Sequence, residues 1–166
     1  NVALLAEQAR TLKAEIAVVA DESCYGDLKE ALSGSGVEVA AGRQAVIEAA
    51  MRPSDWIMSS IVGTAGLEPT FKAVERGAIV GLANKECLVS AGDVMINEIK
   101  HQGATMIPVD SEHSAVFQVF DFDDPDKVNR IILTASGGPF REKSLTEMAS
   151  MTPEQAVTHP NWDMGA

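Results

Sequence analysis

The stretch Ala78-Ile79-Val80-Gly81-Leu82-Ala83-Asn84-Lys85-Glu86 changes character halfway along, and that change decides the fold. Its first six residues carry no charge and are too few for a buried helix, so they read as a buried strand. The next three are polar and open a long helical pattern that runs to about Lys100. A short apolar strand feeding directly into a helix is half of a βαβ unit. The same alternation appears on both sides. Downstream, Thr105–Val109 predicts a strand and 112–120 a helix. Upstream, the strand Trp56–Val62 leads through Gly63 and Gly66 to a helix around Thr70–Arg76.

Further upstream the pattern repeats twice. Ile16–Ala20 predicts a strand, with Asp21 and Ser23 as caps for a helix over 25–32 that Gly34 and Gly36 end. A strand over 37–40 and a helix over 44–51, stopped near Pro53, come next. The chain opens on a helix, with Val2, Leu5, Ala9 and Leu12 at helical spacing. No strand and Gly-rich turn stand before it, so the strand series begins one unit late. This alternation holds to about residue 108 and predicts an α/β fold, a Rossmann-like doubly wound parallel sheet. Beyond it lie a β-rich run over 128–135 and two capping boxes, Ser144-x-x-Glu147 and Thr152-Pro153-x-Gln155. The predicted organisation is a partial dinucleotide-binding domain over 1–108 and the start of an α+β domain over 109–166.

Composition narrows the partners. The 166 residues hold 13 basic and 24 acidic side chains, a net charge of −11. No Lys/Arg run interrupts that acidity, which argues against a nucleic-acid backbone or an anionic membrane as partner. An anionic substrate would have to be met by a few local Lys, Arg or His side chains, helix N-termini or a metal. Aromatic content is 5% against 46% hydrophobic residues, so the core is expected to be aliphatic. Cys24 and Cys87 stand far apart without metal-binding or CxxC spacing and read as reduced thiols. No apolar run approaches a membrane span and no signal-peptide pattern is present.

Ligands of open α/β sheets bind beyond the carboxyl ends of the strands, so the residues just past each strand matter most. Asn84-Lys85-Glu86 reads as a helix cap plus a surface lysine, or as a cation held in a first helical turn. In Asp110-Ser111-Glu112-His113 two carboxylates stand two apart, a spacing that can aim both at one hard cation. It is equally the pattern of an Asp N-cap with an acidic first turn behind it. Ser136-Gly137-Gly138-Pro139 is a plain turn or a set of backbone N–H groups open to a phosphate. His159-Pro160-Asn161-Trp162 is a loop anchored by a buried Trp, or a histidine within reach of a phosphate.

Taken in order, L-A-N-K-E at 82–86, P-V-D-S-E-H at 108–113, S-G-G-P-F-R at 136–141 and H-P-N-W-x-M-G at 159–165 resemble the 1-deoxy-D-xylulose 5-phosphate reductoisomerase family. I-V-G-x-A-G-L at 61–67 and M-T-P-E-Q-A at 151–156 fit it too, so the resemblance covers essentially the whole chain. It implies NADPH- and divalent-metal-dependent conversion of 1-deoxy-D-xylulose 5-phosphate to 2-C-methyl-D-erythritol 4-phosphate in the non-mevalonate isoprenoid pathway. Lys85, Asp110 and Glu112 then form the catalytic centre. Asp110 and Glu112 hold a Mn²⁺, Mg²⁺ or Co²⁺ ion with a third carboxylate, and Lys85, Ser111 and Glu112 meet the hydroxy-ketone end of the substrate. Ser136 and His159 bind on the phosphate side, and Trp162 belongs to a loop closing over substrate and nicotinamide. Asn84, Glu86, Met164 and Gly165 contact NADPH, with Asn1 near the adenosine end. The resemblance further implies a homodimer in bacterial cytosol or plastid stroma. The family's Gly-rich turn, third metal carboxylate and part of its phosphate site are not among these 166 residues, so the chain alone is expected to fold in part and to be inactive. A simple NAD(P)-dependent dehydrogenase and a non-catalytic folded piece of the enzyme are the alternatives.

Overall fold

A computed structural model describes residues 1–135 and 137–160. The chain divides into two compact units, Asn1–Ser114 and Ala115–Ala166. In the first, helices and parallel strands alternate: α1 (Val2–Thr11), β1 (Ile16–Val19), α2 (Tyr25–Ala31), β2 (Glu38–Ala41), α3 (Arg43–Ala50), β3 (Trp56–Ser59), α4 (Leu67–Glu75), β4 (Ile79–Leu82), α5 (Glu86–Gln102) and β5 (Thr105–Pro108). Helix α6 (Ser111–Val119) comes after β5.

The strands pair in parallel in two groups, β1 with β2 and β3-β4-β5 with β4 central. The register runs Ile16↔Glu38, Ile79↔Thr105 and Trp56↔Ile79. Parallel neighbours need crossover helices, which is why each strand is separated from its partner by one. Around β1 and β2, Ala17 packs with Ala6 and Ala9 of α1 and with Leu28 and Leu32 of the α2 region. Val18, pointing the other way along the strand, lines a cavity with Val46 and Ile47 of α3. Helices thus cover both faces of this pair, the doubly wound arrangement that the alternation predicts.

The second core lies between β3-β4-β5 and helices α4 and α5. Val74, Val80, Cys87 and Met95 are fully buried there, packed by Ile57, Phe71 and Met106. Burying each Val or Met side chain contributes about 1.5–3 kcal/mol. The core is aliphatic, as the low aromatic content predicts. The opposite face of this sheet is open, with Trp56, Met58, Ile79 and Ile107 all between 37% and 46% exposed. Trp56 lies across Gly81 of β4, and any side chain at 81 would collide with the indole. No helix among the described residues is long and apolar enough to cross a membrane.

In the second unit, α7 (Leu145–Met148) and α8 (Pro153–Val157) both begin with the capping boxes read from the sequence. The β-rich run at 128–135 is a correction: it forms no strand. Ile131, Ile132 and Leu133 are exposed at 58–70%, and no described strand pairs with them. Strand propensity reflects packing on neighbours, so without a partner ladder the run has nothing to gain from pairing.

Candidate active site

Because β4 and β5 are parallel and in register at Leu82↔Pro108, the residues just beyond each emerge at the same edge of the sheet. The Val109 N–H donates to the Leu82 carbonyl at 2.9 Å and holds the two exits together. Lys85 lies three residues past β4 and Glu112 four past β5, and this alignment brings Nζ to 3.6 Å from Oε2. The lysine side chain is half exposed and the glutamate 29% exposed. A pair this open adds little to stability, so its interest is positional. The Glu112 carboxyl is held below the usual glutamate range, chiefly by its own backbone N–H, then by the Ser111 hydroxyl, with a smaller pull from Lys85.

Asp110 is largely shielded, its side chain 9% exposed. It accepts the His113 backbone N–H at 3.1 Å, which makes it the cap of α6. The His113 ring Nδ1 also sits 2.7 and 2.9 Å from its two oxygens. The cap reading of this motif is therefore realised. It is compatible with metal binding in kind, since carboxylate oxygens are the hard donors that Mg²⁺ or Mn²⁺ select. Among the described residues, however, no group of three or more His, Cys, Asp or Glu side chains is placed to hold a metal ion. Asp110 and Glu112 fit two positions of a carboxylate set and not a whole one.

Asn84 does not cap α5, contrary to one reading of its sequence. The cap position belongs to Lys85, with no side-chain bond. A cap must accept, and Asn84 instead turns its amide nitrogen back to donate to the carbonyls of Ile61 and Gly63, the latter at 2.9 Å. Glu86 is the first residue of α5, exposed, where the helix dipole favours an anion. Asn1 uses its side-chain oxygen on the Leu4 N–H at 3.1 Å and caps α1. In the second unit, His159 is half-buried beside the Gly137–Gly138 turn, its ring 3.8 Å from where a Gly138 Cβ would lie. Gly138 and His159, distant in sequence, thus lie side by side. Ser136, Trp162, Met164 and Gly165 lie outside the described residues.

Two features escape a motif reading. Beneath the β3 and β4 exits, Ser59 donates to Thr70, Thr70 donates to the Gly66 carbonyl at 2.6 Å, and Cys87 points its thiol at Thr70 from 3.7 Å. All are buried. The Thr70 spacing after Gly66 is the single sequence hint of this network. The second is a cavity of about 680 Å³ between the carboxyl ends of β1 and β3, lined by Val18, Ala20, Val46 and Ile61. Arg43 and Glu68 pair at 2.5 Å on its wall. It does not include Lys85 or Glu112.

Known proteins match this chain along its length. The profile described as 1-deoxy-D-xylulose 5-phosphate reductoisomerase matches residues 1–92, and that of the same enzyme's C-terminal domain matches 106–166. The 1-deoxy-D-xylulose 5-phosphate reductoisomerase of Rhodospirillum centenum is 61% identical over all of this chain, which spans 41% of its length. The solved Zymomonas mobilis reductoisomerase in complex with NADPH superposes on 96% of this chain with a TM-score of 0.87 at 57% identity, and 42% of it is covered. A structure of DOX-P reductoisomerase with NADPH, fosmidomycin and magnesium gives a TM-score of 0.80 at 33% identity, over 99% of this chain and 43% of that one. With sequence and fold in agreement, the chain belongs to the 1-deoxy-D-xylulose 5-phosphate reductoisomerase family.

Proposed function

We propose that this chain supplies the metal-facing carboxylates, the substrate-facing lysine and part of the cofactor surface of a reductoisomerase. The reaction is isomerisation of 1-deoxy-D-xylulose 5-phosphate to a branched aldehyde and its reduction to 2-C-methyl-D-erythritol 4-phosphate. The observation that carries the reading is the meeting of Lys85 and Glu112 at adjacent strand ends, next to Asp110. A divalent cation supplies charge stabilisation for developing oxyanions, worth several kcal/mol in typical sites, and NADPH supplies the hydride.

The chain's own residues do the rest. Asp110, rigid through its cap, and Glu112, kept ionised by its N–H and by Ser111, present anionic oxygens to the cation. Lys85 faces the hydroxy-ketone end, where its ammonium stabilises developing negative charge. Ser111 orients a substrate oxygen. Asn84, Glu86 and Asn1 are the described contacts proposed for NADPH, with Met164 and Gly165 beyond them in sequence. Ser136 and His159 take the phosphate, which contributes binding energy remote from the reacting carbons. Trp162 covers the site once substrate is bound and excludes water. We assign residues 1–108 to the cofactor part and 109–166 to the catalytic part, working as a homodimer in bacterial cytosol or plastid stroma.

A chimera tests this. These 166 residues replace the matching span of the Zymomonas mobilis enzyme, and NADPH oxidation is followed with substrate and Mn²⁺. The expected result is metal-dependent turnover that Asp110→Asn abolishes. NADPH oxidation without any metal would give a simple dehydrogenase instead, and an inactive but folded chimera would leave the chain a non-catalytic member of the family.

A further inference from the structure

We propose that His113 sets the cation selectivity of this site, because its ring occupies the edge of the Asp110 carboxylate on which a bidentate ion would sit. Asp110 then offers a cation one oxygen only. The grip of His113 on Asp110 stands on geometry alone; that a cation binds there rests on the function proposed above. Nδ1 lies 2.7 Å from Oδ1 and 2.9 Å from Oδ2. A donor nearly equidistant from both oxygens, and in reach of a lone pair on each, lies along the edge between them. A carboxylate only accepts, so Nδ1 carries the hydrogen and the neutral ring keeps its bare lone pair on Nε2.

The rest of the carboxylate is equally constrained. Oδ1 accepts a second time, from the His113 backbone N–H at 3.1 Å. Among the described residues, Oδ2 accepts from the ring alone. The Asp110 side chain is 9% exposed, which leaves it little room to turn another edge outward. One residue thus holds Asp110 twice, through the helix and through its ring. A plain capping box works differently: Glu147 and Gln155 reach back to accept the backbone N–H of Ser144 and Thr152, their own caps. His113 stands at the same position of its helix and takes the carboxylate instead.

The consequence is a choice between ions. Ca²⁺ gathers about six to eight oxygens and readily takes a carboxylate by both of them. Mg²⁺ demands a near-ideal octahedron at about 2.0–2.1 Å, a geometry that one oxygen per carboxylate satisfies. His113 therefore blocks a coordination mode that Ca²⁺ uses and Mg²⁺ does without. Groups that hydrogen-bond a ligating side chain also fix its aim, and losing them typically changes metal affinity about 10–100-fold.

The test is ion competition in the chimera described above. Mn²⁺ bound to the protein is read by electron paramagnetic resonance, and Mg²⁺ or Ca²⁺ is added to displace it. His113→Ala frees the edge and keeps the backbone cap. It should shift the ratio of Ca²⁺ to Mg²⁺ affinity toward Ca²⁺ by ~10-fold or more. His113→Asn places an amide N–H close to the position of Nδ1 and should restore most of the native ratio. A merely structural histidine would lower both affinities together, so an unchanged ratio in His113→Ala overturns the selectivity role. Loss of all Mn²⁺ binding in both variants would make the ring a direct ligand and overturn it too. One measurement needs no variant: ¹⁵N shifts of the neutral His113 ring should place the hydrogen on Nδ1, and a hydrogen on Nε2 overturns the grip. These failures leave the proposed function standing as long as Asp110→Asn weakens Mn²⁺ binding. Mn²⁺ binding that Asp110→Asn leaves untouched overturns the metal role of Asp110 and this inference with it.

Discussion

At Asp110 one carboxylate both accepts the first-turn N–H of α6 and offers hard oxygens beside Glu112, and substitution can separate these duties. Asparagine caps as well as aspartate, so Asp110→Asn should leave the melting temperature nearly unchanged while weakening Mn²⁺ binding in the chimera. Asp110→Ala should lose the cap as well, at a cost of about 1 kcal/mol. Equal Mn²⁺ affinity in the wild type and Asp110→Asn would remove this residue from the metal set. Glu112 gives a pH prediction. Its carboxyl is depressed in the folded state, so the stabilisation is present above the ordinary glutamate range and is lost as pH falls through the depressed value. Carboxyl ¹³C titration should find a midpoint below 4.5, and Ser111→Ala should raise it more than Lys85→Ala does. The opposite order would reassign the cause. At Cys87, burial raises the thiol and the side chain is fully enclosed, whereas Cys24 is partly exposed. A disulfide reagent at neutral pH should therefore label Cys24 quickly and Cys87 only on unfolding.

Helix α5 shows what an element adds. It departs from helical geometry at Ala91 (φ −143°, ψ 32°), so the turn that carries Glu86 is set apart from the long helix behind it. It ends on Gly103 in the left-handed region at φ 67°. Gly103→Ala should cost roughly 1–2 kcal/mol, lowering the melting temperature by about 2–8 °C. An unchanged melt would mean that the cap is strained already. Elements with local causes were legible in sequence: both capping boxes form where Ser144 and Thr152 stand, and the strand-to-helix switch at 78–86 gives β4 and α5. What tertiary contacts decide was not. Asn84 has the residue type of a cap, and only carbonyls more than twenty positions away turn it round. The apolar run at 128–135 has strand composition and no described ladder to join. The Asp110 cap of α6 was legible from its spacing, but the approach of Lys85 to Glu112 depends on the parallel register of β4 and β5.

Across the molecule, burial is unevenly shared. Every buried core residue described, from Ala6 to Met95, falls in the unit Asn1–Ser114. The described residues of Ala115–Ala166 include none that is buried to that degree. Native-state hydrogen exchange should therefore give the slowest amides in β4 and fast exchange throughout 115–160, because opening free energy tracks the apolar contacts an opening must break. Protection at 128–135 equal to that of Val80 would contradict this picture. With a net charge of −11, the chain should stay dispersed at neutral pH despite the open sheet face, and added salt should weaken that repulsion.

The seating of Trp56 on Gly81 gives the protein an optical reporter of its own. An indole lying on bare backbone, 46% exposed, emits at a wavelength set by how much water reaches it. Any event that slides β3 against β4, or that brings another surface over Met58 and Ile107, alters that access and so the colour of the emission. With Trp162 replaced by phenylalanine, a single fluorophore would read the state of the three-stranded sheet directly, without a label.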